Sequence, residues 1–361
     1  MSARAPTQML KIVLLAAALF VGASAQGAEL SVADVAALTG ADRQKALEDG
    51  ARKEGEVLWI GSFNEDNAKP ILDKFAERYP FIKVNRVRTD SNRALQRVLA
   101  EFRAKSSRTD LVTSSAVVDL KRSGAVQAFK SPALDAYPAE DKDAEGFYAP
   151  FIFYYFGLAA YNTDQVKRAD APRSYEDLLD PKWKGQIVAN MGSSGMPFFI
   201  SFLRMQWGDA KATDYLEKLA KQKLISRTES ARTVFGMTIS GEHKLMINPF
   251  LNHVGEAQKK GAPIDVTMVD PVPYTASPVM LAKLSPHPHA AMLLIDYLLG
   301  EEAQGILRDK GYYPAHPQVA PAAEMQPFLP KTHGLRRFLV DENELANMAA
   351  ETNALYSRLF E

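Results

Sequence analysis

From residue 55 onward, short apolar runs alternate with longer stretches whose apolar residues recur at helical spacing. Glu56-Val57-Leu58-Trp59-Ile60 reads as a buried strand, 67–79 as a helix stopped by Pro80, and 81–88 as a second strand. Ser91 is placed to cap a helix through Arg103, 109–113 is the third strand, and 116–123 is a helix closed by Gly124. Three successive strand–helix units predict a largely parallel sheet with helices on both faces. Residues 125–150 break the rhythm before an aromatic segment at 148–161. A second alternation puts strands at 186–190, 223–227, 244–248 and 264–269 among helices at 197–207, 212–221, 231–240 and 251–260. Pro271, Pro273 and Pro278 then precede a strand at 279–284, and 289–299 is a helix with Leu293, Leu294, Tyr297 and Leu298 on its apolar face. Residues 341–360 predict a C-terminal helix packed on the surface.

The first 25 residues follow a different rule. Arg4 and Lys11 bracket the approach to an uncharged apolar run at 12–21, and Ala23-Ser24-Ala25 supplies the small-x-small pattern of a cleavage site. That run is too short to cross a ~30 Å hydrocarbon core. The expectation is a cleaved signal peptide and a mature chain in the periplasm. Removing Arg4 and Lys11 from 43 basic residues leaves 41 against 43 acidic ones, which excludes the strongly basic face of a nucleic-acid binder. The absence of cysteine excludes disulfides, a lipid-bearing N-terminal Cys and a thiolate metal centre, so a large hydrophobic core must hold the fold.

The run Ser174-Tyr175-Glu176-Asp177-Leu178-Leu179-Asp180-Pro181-Lys182-Trp183-Lys184-Gly185-Gln186-Ile187 resembles a signature of periplasmic solute-binding proteins related to the ferric-iron binders of ABC importers. Gly55-Glu56-Val57, the segment 157–163, Ser240-Gly241-Glu242 and the helix at 289–304 resemble further family segments in the family's order. The resemblance implies an α/β, two-lobed clamshell of the type 2 periplasmic-binding-protein class, each lobe a mixed, mostly parallel sheet flanked by helices and joined by two crossover strands. The expected organisation is a signal peptide at 1–25, lobe one at 26–157 and 278–335, lobe two with the crossovers at 158–277, and a C-terminal helix at 336–361. The ligand would sit in the cleft, where loops at the carboxyl ends of strands converge.

Candidate ligand contacts follow from those loops. Ser62 and Asn64 lie after the first strand, Arg88 and Ser91 after the second, Ser114 and Ser115 after the third, and Tyr161 at the crossover. In lobe two, Asn190-Met191-Gly192-Ser193-Ser194-Gly195 opens a helix, and its small residues suit backbone N–H groups that point at an anion; Ser193 and Ser194 are the candidates there. Arg232, with Glu229 as its alternative surface partner, would hold a charged ligand, and Asn248 and Phe250 complete the wall. Phe63, Met191 and Tyr274 would add apolar surface.

One departure from the iron binders decides the ligand reading. Where they carry an adjacent Tyr-Tyr pair, this chain has Phe250-Leu251. Tyr154-Tyr155 falls in a strand whose successive side chains face opposite ways, Tyr312-Tyr313 resembles a structural turn, and the six histidines show no ligand spacing. The expectation is no metal, no cofactor and no catalysis. The chain would be a monomeric substrate-binding component that captures a small anionic organic solute (an organic acid, phosphonate, sulfonate or phosphorylated metabolite) and delivers it to an ABC permease. Alternatives are a ferric-iron or cationic (polyamine or thiamine) binder, a sensor docking on a receptor, and a secreted hydrolase, for which no G-x-S-x-G elbow or H-E-x-x-H is present.

Overall fold

The computed structural model describes residues 30–192 and 194–361, so the expected signal peptide lies outside the described residues. The first half of the chain lays down β1 (Glu56–Gly61), β2 (Lys83–Arg88), β3 (Leu111–Thr113), β4 (Val126–Gln127) and β5 (Tyr148–Tyr155). It then crosses to a second sheet of β6 (Ala159–Asn162), β7 (Ile187–Asn190), β8 (Ile225–Arg227), β9 (Leu245–Ile247) and β10 (Ile264–Thr267). The long β11 (Val272–Ala282) returns to the first sheet, which β12 (Tyr313–Pro314) and β13 (Arg337–Leu339) complete. Strand order is β12-β5-β11-β3-β1-β2 in the first sheet, with β4 and β13 also on β11, and β10-β6-β9-β7-β8 in the second. Within each sheet β1, β2 and β3, or β7, β8 and β9, run parallel, while β11 runs antiparallel to β3, β4 and β5 but parallel to β13, and β6 runs antiparallel to β9 and β10. The result is the two-lobed α/β architecture that the alternating pattern predicted.

Three boundaries differ from expectation for local reasons. The cap of the Ser91–Arg103 helix is Asp90, whose carboxylate accepts from Arg93 N–H, and Ser91 is the first helical residue. Pro273 and Pro278 do not precede the last long strand; they lie within it. Pro278 is tolerated because the β11–β5 register shifts between Ser277 and Pro278, where an irregularity relieves the ladder of a donor. The helix expected at 289–304 is two, Pro288–Leu299 and Glu301–Asp309, broken at Gly300, and the helix Gly40–Glu54 went unmarked in the sequence pattern. Helix Pro288–Leu299 is buried on nearly every side, between Gly40–Glu54 and the first sheet.

A buried carboxylate joins three separate segments of lobe one. Asp110, fully buried, accepts from Leu58 N–H (2.7 Å), Ser285 Oγ (2.6 Å) and His287 N–H (2.9 Å), and lies 3.0 Å from His287 Nδ1. Asp110→Ala would strand these donors out of water, so denaturant unfolding should show a loss of about 3 kcal/mol or more.

The C-terminal helix Glu342–Phe360 packs on the surface as expected, with Thr352 its one buried residue, and it also ties the lobes together. It packs along helices Met196–Trp207 and Asp209–Ala220 of lobe two, where Thr352 meets Ser201 (3.1 Å) and Arg204 (3.0 Å), and it reaches lobe one through Arg122 to Asn347 (2.7 Å). At its first turn Glu342 accepts from Thr275 Oγ1 of β11 (2.8 Å). Burial, against the help of that hydrogen bond and with Asp341 nearby, pushes the Glu342 carboxyl up to about 7 from an ordinary 4.5. Between those values the folded chain keeps a proton that the unfolded chain releases, so this group lowers stability as pH rises through the window. Glu342→Gln should match the wild type below about pH 4.5 and exceed it by about 1–3 kcal/mol above pH 7, as read by urea unfolding at a series of pH values.

Candidate functional site

Both sheets end their parallel strands at a common cleft. Two connected cavities of about 580 and 520 Å³ occupy it, sharing Ser62, Tyr154, Ser194 and Ser277 as their common wall. One end is lined by Ser91, Ser115, Asp119, Met191, Phe198, Glu342 and Asn353 among others; it carries two acids and no Lys or Arg. The other is lined by Asn64, Asp66, Arg232, Phe250, Asn252, His253, Glu256, Lys310 and Tyr312.

The loop after β1 is built to be close to the cleft. A Cβ on Gly61 would come within 1.9 Å of Thr113 Oγ1, so only glycine lets β1 and β3 approach here, which puts Ser62 at the rim. Asn64 then caps helix Glu65–Arg78 by accepting from Asp66 N–H (2.8 Å). Beneath it Phe63 stacks on Trp59 with centroids 6.0 Å apart, and the Arg86 guanidinium lies 4.2 Å over the Trp59 ring while donating to Phe63 O.

In lobe two, two asparagines hold the 190–195 loop. Asn190 accepts from Gly192 N–H (3.1 Å), and Asn248, in the left-handed region at φ 53°, donates to Ser194 O (3.1 Å). The Gly192 N–H expected to face a ligand is thus already partnered. Ser193 lies outside the described residues. The N-termini of helices Ala231–Ile239 and Leu251–Lys259 open beside the same cavity, the first capped by Ser230, the second with no side-chain cap at Phe250.

Of the residues singled out from sequence, Ser62, Asn64, Ser91, Ser115, Ser194, Arg232 and Phe250 line the cleft. Arg88, Ser114, Tyr161 and Asn248 do not. Arg88, the last residue of β2, is exposed. Ser114 is buried and spent locally, donating to Ser91 O and accepting from Ala116 N–H. Tyr161 faces its own sheet and donates to Asp265 (3.0 Å). Tyr274, expected as apolar wall, is buried with its hydroxyl on Asp141. Arg232 does not pair with Glu229: its guanidinium holds Glu256 at 2.9 and 3.3 Å.

Strand alternation divides Tyr154-Tyr155 and the entry to β12 divides Tyr312-Tyr313, yet one ring of each pair turns into the cleft. Tyr155 and Tyr313 pack together in the core (5.1 Å), whereas Tyr154 and Tyr312 wall the cavity 6.3 Å apart, Tyr312 accepting from Asn67 Nδ2. Burial raises both cleft phenols above their ordinary range, and the proximity of Tyr312 adds to the effect on Tyr154. Burial, and then the Arg232 charge, holds the His253 imidazole down to about 3, so it is neutral. Among the described residues no group of three or more His, Asp or Glu side chains could hold a metal ion. A Ser285–Asp110–His287 grouping exists, but the hydroxyl donates to Asp110 rather than to the imidazole, and none of the three lines the cleft. Asn252 lies in the segment 248–252 that the sequence marked as cleft wall, though it was not singled out as a contact; Glu256, Lys310 and the whole C-terminal wall were missed.

Structures of known proteins share this architecture. Apo ferric ion-binding protein A of Pasteurella haemolytica matches with a TM-score of 0.72 at 20% identity, over 84% of this chain and 98% of that one. AfuA of Actinobacillus pleuropneumoniae, with exogenous fructose-6-phosphate bound, matches with a TM-score of 0.69 at 20% identity, over 85% and 98%. An uncharacterized protein of Haemophilus influenzae is 23% identical over 281 residues, 74% of this chain and 79% of its own length. No helix among the described residues is long and apolar enough to cross a membrane. Residues 106–332, more than half the chain, match the family described as bacterial extracellular solute-binding protein, and the chain belongs to that family.

Proposed function

We propose that this chain is the substrate-binding component of an ABC importer that captures a small anionic organic solute between its lobes and hands it to an inner-membrane permease without chemistry of its own. Proteins of this fold bind iron with citrate in one case and fructose-6-phosphate in another, so the choice of ligand rests on the cleft. The observation that carries the anion reading is the meeting, at one end, of the N-termini of Glu65–Arg78, Ala231–Ile239 and Leu251–Lys259 with Arg232 and Lys310. The helix dipoles, the N–H groups that the Asn64 and Ser230 caps leave free, and the uncapped start of Leu251–Lys259 favour negative charge there. Glu256 already neutralises part of Arg232, so the anion would share this guanidinium rather than own it. A cationic solute is the second reading, favoured by Asp119 and Glu342 at the far end, where no Lys or Arg answers them.

Native mass spectrometry of protein purified without refolding should reveal a bound organic anion, and Arg232→Ala should weaken its calorimetric affinity by about tenfold or more while leaving the fold intact. An affinity within twofold of wild type would remove Arg232 from the site. Ferric citrate should give no phenolate-to-iron absorption band, because both cleft phenols resist ionisation and the adjacent tyrosine pair is replaced by Phe250-Leu251. A coloured stoichiometric complex would establish iron instead.

A further inference from the structure

The Arg232 end of the cleft offers acceptors as well as donors, and this mixture narrows the ligand. Asn252, at the second position of helix Leu251–Lys259, is only 1% exposed and walls the cavity, yet its Oδ1 is buried with no hydrogen-bond partner. Nδ1 of the next residue, His253, is likewise buried and unpartnered on a ring held neutral. A buried carbonyl oxygen left without a donor costs about 1–3 kcal/mol. Glu256 and Asp66 add carboxylate oxygens to the same wall. A ligand made only of acceptors would meet the N-termini and Arg232 well but would set its lone pairs against these oxygens.

We infer that the solute bound here is a tetrahedral oxyanion that keeps a proton, a phosphonate or phosphate monoester in its monoanionic form, with its P–O–H donating to Asn252 Oδ1 and its charged oxygens facing Arg232, Lys310 and the helix N-termini. The inference rests on the anion reading and excludes one class within it: a sulfonate has the same shape and charge but no proton to give. Asn252 then acts as the residue that tells the two apart, because a site built around a substrate hydroxyl rejects the analogue that lacks it.

Ethylphosphonate and ethanesulfonate are the probes, since at mildly acidic pH each carries one negative charge on a group of similar size. Calorimetric titration of the full-length protein should give tighter binding of the phosphonate by about tenfold or more, and the preference should shrink to about threefold or less in Asn252→Leu. Because that substitution is buried, the wild type provides a second arm: affinity for the phosphonate should fall as pH rises through its second ionisation, while that for the sulfonate stays level. Equal or tighter binding of the sulfonate, the outcome expected if the amide presented Nδ2 instead, overturns the inference and leaves the anion reading standing. Undiminished preference in a folded Asn252→Leu removes the role from Asn252. Failure of both probes to bind overturns the anion reading with it.

Discussion

The pairing of β11 with β5 is the constraint from which the rest of the molecule follows. These strands register from Tyr274 opposite Tyr155 to Met280 opposite Tyr148, so the chain returning from the second sheet is locked antiparallel to the strand that left the first. One crossover leaves at Tyr155 and the other arrives at Val272, side by side, and that adjacency makes the space between the lobes a cleft with a floor. Tyr154 from one strand and Ser277 from the other supply that floor. Thr275 on the same strand anchors Glu342, so the C-terminal helix is referenced to the crossover as well as to lobe two.

Two kinds of polar burial serve different ends in this framework. Asp110 has four donor contacts on one carboxylate and fastens strand, loop and helix of lobe one into a rigid body. Asn252 and His253 leave buried polar atoms unanswered at the cavity wall. Native proteins rarely leave such atoms orphaned, and when they do so beside a cavity the missing partner is naturally sought in what the cavity holds. The asparagines of the neighbouring loop show the contrast, since Asn190 and Asn248 spend their amides on backbone and so shape the wall without needing a ligand.

The alternation of short apolar runs with amphipathic stretches made the two α/β lobes readable, because buried parallel strands and their crossover helices impose different periods on the sequence. Pro273 and Pro278 concealed the strand that joins the lobes, since a proline reads locally as a break and only the register shift at Ser277 shows how it is accommodated. The same period that argued against Tyr154-Tyr155 as a metal pair carried the opposite message for Tyr154 alone. Arg232 was placed correctly at a helix entrance, but its partner sits 24 residues away on another helix, and proximity in sequence suggested Glu229. The C-terminal helix is the surface element it was expected to be, with Thr352 alone buried, and nothing in its small and polar residues Ala346, Ala349 and Asn353 signals that this face lines the cleft.

Phe63 lines one end of the cleft and lies nearly parallel to Trp59, at 15°, while the Arg86 guanidinium sits over the indole. The chain has only three tryptophans, and neither Trp183 nor Trp207 lines the cleft. Whatever displaces Phe63 or shifts the guanidinium changes the polarity around one indole and not the other two. If the proposed solute binds against Phe63, Trp59 stands one aromatic ring behind it, where an indole could report occupancy optically with no label to attach.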